Sequence, residues 1–72
     1  MALDLTTRHD ATRRLLHFFR SDHLPSHLAG VSDPCGALAL HMVEILPDGA
    51  ELTTALRKLL EAKDCFVRAA LQ

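Results

Sequence analysis

The sequence predicts an all-α chain, on three observations. Leu and Ala dominate, Tyr and Trp are absent, and Ile and Val are few, so no alternating run of useful length marks a strand. Three Gly and three Pro leave little room for hairpin turns. Apolar residues recur at steps of three and four over two long stretches, which is helical spacing.

The first segment, around Asp10 to Arg20, reads as a short helix. Asp10 serves as its N-cap, and Leu15, Leu16, Phe18 and Phe19 supply its apolar surface. Ser21-Asp22-His23-Leu24-Pro25 ends it, because Pro cannot continue a helix and restrains the residue before it. A second helix opens with Pro25 in its first turn, where the missing N–H is harmless. Leu28, Val31, Cys35, Leu38, Met42 and Ile45 form its stripe, sustained for nearly three heptads. Pro34 in the middle removes one backbone hydrogen bond and predicts a kink, eased by Ser32, Asp33 and Gly36. Two separate helices, split at Ser32-Asp33-Pro34, are the competing reading.

Pro47-Asp48-Gly49 makes a tight turn, and Asp48 with Glu51 matches a capping box opening a third helix, from about Gly49 to Leu71. Leu52, Leu56, Leu59, Lys63, Phe66 and Ala70 trace its stripe, flanked by Ala55, Ala62 and Ala69. Asp64 and Arg68 are placed as an i,i+4 ion pair in the favourable order. Similar lengths and a short turn predict that the second and third helices pack as an antiparallel hairpin. The chain thus reads as one helical-hairpin domain over residues 1–72, with an N-terminal helix and turn over 1–24 and the kinked hairpin over 25–72.

Composition argues for assembly. At 72 residues and 49% hydrophobic, the chain is one domain at most and too apolar to be disordered. A chain this short buries only about 60% of its unfolded surface, so its core is marginal alone. Leu40, Val43 and Leu46 lie off the stripe of the second helix, and Leu60 and Val67 off that of the third. Pro25 to Pro47 contains no Lys or Arg. An apolar surplus on a nearly uncharged helix suits the centre of a homo-oligomer with closed symmetry.

Composition also excludes. Lys+Arg number 8 against Asp+Glu 9, a net charge of −1, so the basic excess of a DNA-binding protein is missing. No apolar run approaches the roughly 20 residues of a membrane span. The start, MALDLTTRHD, is polar and carries two acids, unlike a signal peptide, so a cytoplasmic setting is expected. Cys35 and Cys65 are then reduced, and read as buried free thiols.

Among candidate chemistries, His23 and His27 are four apart, as zinc ligands often are, but the spacings match no standard structural zinc site and no Cys-x-x-Cys is present. Helix caps, surface positions or ligand contacts account for the histidines more simply. Neither a metal nor an organic cofactor is expected. Cys65 beside Asp64 has no electropositive setting to activate it, so no catalytic residue is assigned. The remaining polar cluster is Thr53, Thr54, Arg57, Lys58 and Glu61. It is either a solvated face or an anion site, in which Arg57 offers a planar fork to phosphate and Thr53 a hydroxyl. Phe19 and His23 on the other element offer flat surfaces to a base.

The string ALRKLLEAKDCFVRAAL after LPDGAE resembles the C-terminal helix of phage-encoded anti-CBASS sponges, small proteins that sequester cyclic nucleotides. The Ala-Leu-x-Lys-Leu-x-Glu-Ala core is carried by Ala55, Leu56, Lys58, Leu59, Glu61 and Ala62, and HLPSHLAGVSDP looks like the start of the family's first long helix. The likeness covers roughly residues 18 to 71. It implies a kinked hairpin assembled as a homohexamer in the host cytoplasm. It further implies non-catalytic capture, between protomers, of cyclic di- or trinucleotides or related Thoeris-type signals, and so immune evasion. By the resemblance Phe19 is the stacking aromatic, and Thr53 and Arg57 the polar pair. The chain departs from the family in having Ser21 or Asp22 where relatives often have Tyr, no Lys in the second helix, and Arg57 where relatives often place Thr. The alternative reading is a helical protein–protein interaction module or inhibitor with no nucleotide ligand.

Overall fold

The computed structural model describes residues 7–72, which form three helices and no strand: α1 (Asp10–His17), α2 (Ser26–Ile45) and α3 (Ala50–Ala70). The polar start of the chain, residues 1–6, lies outside the described residues. The all-helical class agrees with the sequence; several details differ, each for a local reason.

The first helix is shorter than predicted and begins differently. Its N-cap is His9, not Asp10: the imidazole Nδ1 accepts the Ala11 N–H at 3.0 Å. Asp10 is instead the first helical residue, where the helix dipole favours an acid, and it pairs with Arg13. The helix closes at His17, and the next two N–H groups turn back in 3₁₀ fashion, Phe18 to the Leu15 carbonyl and Phe19 to that of Leu16, both at 3.1 Å.

α2 runs unbroken through Pro34, so the split at Ser32-Asp33-Pro34 does not occur. Its buried face is rotated from the predicted stripe. Leu28, Ser32, Ala39 and Val43 are buried, whereas Leu38 and Ile45 are exposed and Val31, Cys35 and Met42 are half-buried. The reason lies in α1. The segment after α1 crosses the small residues of α2 at close range: a Cβ added to Gly36 would meet the Phe19 carbonyl oxygen at 3.2 Å. Beside it the Ser21 hydroxyl donates to Ser32 Oγ at 2.8 Å, which satisfies a fully buried hydroxyl.

On α3 the first half of the predicted stripe is buried, at Leu52 and Leu56, and it ends at Lys63. Phe66 and Ala70 beyond it are exposed, and the C-cap of α1 meets α3 at Lys63, whose Nζ donates to the Phe18 carbonyl at 3.0 Å. Arg68 does not pair with Asp64. It donates to Cys65 Sγ at 3.2 Å, while Asp64 pairs with Lys63 at 3.2 Å. Both cysteines are free, but Cys35 is half-buried and Cys65 exposed, so they are not two buried thiols.

The core is small: Leu16, Phe19, Ala39, Val43, Leu52 and Leu56, where the three helices meet. Leu56 is the largest side chain fully withdrawn from solvent. The described chain measures 38 × 24 × 17 Å.

Candidate functional site

The capping box predicted at Asp48 is not formed. Gly49 is the N-cap of α3 and makes no side-chain cap bond. Asp48 is drawn away by the segment before α1. Its carboxylate accepts from the His9 N–H at 2.8 Å, Arg8 Nε at 3.0 Å and Thr12 Oγ1 at 3.0 Å. These partners, the His9 N–H first, hold the Asp48 carboxyl below the usual carboxylate range despite some desolvation. Arg8 continues the network by donating to the carbonyls of Val43 at 2.6 Å and Leu46 at 2.9 Å, acceptors at the C-terminal end of α2. One arginine and one aspartate thereby tie the start of α1 to the α2–α3 turn.

That latch positions the polar face of α3. Thr53 is half-buried and lines a concavity of about 380 Å³ with His9, Ala11, Gly49, Ala50 and Thr54. One turn on, Arg57 is exposed and has no ion pair or hydrogen bond with a described residue; Lys58 is the same. By contrast Arg8, Arg13, Arg20, Lys63 and Arg68 are all engaged.

His23 and Phe19 lie elsewhere. His23 is exposed at the far end of α1 and shares a concavity of about 370 Å³ with His17, Phe18, Arg20 and Lys63. Arg20 and Asp22 form a two-armed pair at 3.2 and 3.1 Å. That pairing lowers the Asp22 carboxyl and raises the Arg20 guanidinium. Phe19 is 5% exposed and belongs to the core, whereas Phe18 beside it is 54% exposed. Within one chain the four sequence-predicted site residues therefore do not converge. Thr53 and Arg57 share one half of α3, while His23 sits by Lys63, roughly 9 Å beyond Arg57 and roughly 15 Å beyond Thr53 along that helix by its rise.

Sequence reasoning missed His17, Phe18, Arg20 and Lys63 as neighbours of His23. A signal was present in Lys63, a lysine on an otherwise apolar stripe. Among the described residues, no group of three or more His, Cys, Asp or Glu is placed to hold a metal ion, and no helix is long and apolar enough to cross a membrane.

A third concavity is apolar. Leu38, Met42, Leu46, Leu52, Ala55 and Leu59 line a groove of about 260 Å³ between α2 and α3. Ile45, 59% exposed, and Leu40 add to the uncovered apolar surface of α2. No protein family, curated protein or solved structure matches this chain.

Proposed function

We propose that the chain is a non-catalytic sponge for a cyclic oligonucleotide signal, held between copies of itself. The observation that carries this reading is Arg57: an exposed guanidinium with no partner among the described residues, one turn from half-buried Thr53. Arg is suited to a phosphate by its planar fork, and one such group per subunit becomes a ring of cations in a closed oligomer. The apolar groove and the exposed Ile45, Leu40 and Leu46 support that oligomer, a hexamer by the sequence resemblance to anti-CBASS sponges. In this reading α2 and α3 form the hairpin, kinked at Pro34, and assembly brings Arg57 and Thr53 of one copy to the His23 end of another. Phe18, with its ring at the surface, takes the stacking role that the resemblance assigns to Phe19.

Thermal shift against a panel of cyclic di- and trinucleotides and cyclic ADP-ribose isomers tests the reading. A rise in melting temperature with at least one of them is expected, abolished in Arg57→Ala with the oligomer intact. No rise with any of them at high micromolar concentration overturns it. The apolar groove also supports a second reading, a helical module that binds or inhibits another protein. Light scattering separates the two: a closed oligomer covers the groove, whereas a monomer leaves it for a partner.

A further inference from the structure

We infer that the concavity at the end of α1, lined by His17, Phe18, Arg20, His23 and Lys63, is a proton-gated site for an oxyanion such as sulfate or a phosphate ester. The lining groups come from α1, from the segment after it and from α3; α2 contributes none. Two of the five are permanent cations, and each already has a carboxylate partner: Arg20 with Asp22 and Lys63 with Asp64. The fixed charges therefore balance, and the two imidazoles decide the sign of the site. Each imidazole that takes up a proton adds a positive charge to a hollow whose fixed charges cancel.

Two further features suit an anion there. The carbonyl at the end of α1 would repel one, since a helix C-terminus is its negative end. Lys63 removes that obstacle, because its Nζ donates to the Phe18 carbonyl at 3.0 Å. The lysine stem is buried, so the charge is held in place with little freedom left to lose on binding. The Phe18 ring is exposed on the rim and stands edge-on to the His17 imidazole, centroids 6.0 Å apart. It gives an aromatic or apolar ester group a surface to lie on, so the favoured ligand is an ester rather than the bare ion.

The site shares His23 and Phe18 with the sponge reading but uses neither Arg57 nor Thr53, so each can fail without the other. The test is an NMR titration of the full chain with sulfate, which stays a dianion across the range, at constant ionic strength and at about pH 5.5 and 7.5. The expected result is a saturable shift of the His17 and His23 imidazole signals at the lower pH, with affinity about ten-fold weaker at the higher. Both histidines are exposed, so His17→Asn with His23→Asn should fold and lose the pH dependence, while Arg57→Ala keeps it. A response that does not saturate, is equal at the two pH values, or survives unchanged in the double variant overturns the inference.

Discussion

Asp48 carries much of what the structure adds at the scale of single residues. In sequence it looks like a helix cap, since Glu51 follows at the right spacing. In space it has a better offer: three donors from Arg8, His9 and Thr12, about forty residues away along the chain. Propensity could not reveal this, because a local cap and a distant network compete for the same oxygens. The consequence for pH follows from its lowered folded pKa. A carboxyl depressed in the folded state contributes stability above its usual range near 4, and loses it as pH falls through the folded value. Asp10 and Asp22 are lowered too, by Arg13 and Arg20, so some slope remains without Asp48. Melting temperature followed by circular dichroism between about pH 6 and pH 3 should fall more steeply in the wild type than in Asp48→Asn. Parallel curves would show that the latch is not coupled to folding.

At the scale of the element, α2 is the informative case. Its existence and ends were readable from Pro25, the apolar period and the Pro47-Asp48-Gly49 turn. Its buried face was not, because that face is chosen by the segment after α1, which packs over small residues rather than large ones. Ser32, Gly36 and Ala39 carry no hydrophobic signal, yet Ser32 and Ala39 are fully buried. The two glycines of this helix separate the effects. Gly30 has nothing within 4 Å of an added Cβ, so Gly30→Ala should stabilise by about 0.5–1 kcal/mol through helix propensity alone. Gly36→Ala gains the same propensity but presses on the Phe19 carbonyl oxygen at 3.2 Å, an overpacking cost of about 1–3 kcal/mol. Urea denaturation should rank Gly30→Ala above wild type and Gly36→Ala below it. Equal stability of the two variants would mean that α1 does not press on α2.

For the whole molecule, the open question is what covers its apolar side. Among the described residues, six form the core cluster, while Ile45, Leu40, Leu46, Phe66 and Leu71 remain at the surface. An exposed set that large beside so small a core is the surface that the proposed oligomer would cover. Ile45→Asp with Leu46→Asp places charge on that surface without touching the core, so the monomer fold should survive while a self-association contact would not. Light scattering should give a multimer for the wild type and a monomer for the double variant, with helical circular dichroism retained in both. A wild-type monomer at tens of micromolar would overturn the oligomer.

The helical class, the three helices to within a few residues and the apolar surplus are legible in the residues alone. Each of these follows from local period, turn chemistry or composition, which need no knowledge of distant contacts. Long-range packing settles which face of α2 is buried, where Asp48 and Lys63 make their hydrogen bonds, and that Phe18 rather than Phe19 meets solvent. Those outcomes depend on where a short helix docks, which is set by long-range packing over small residues that periodicity cannot see. The gathering of His17, Arg20, His23 and Lys63 is of the same kind: residues of two distant segments line one hollow when α1 ends against α3.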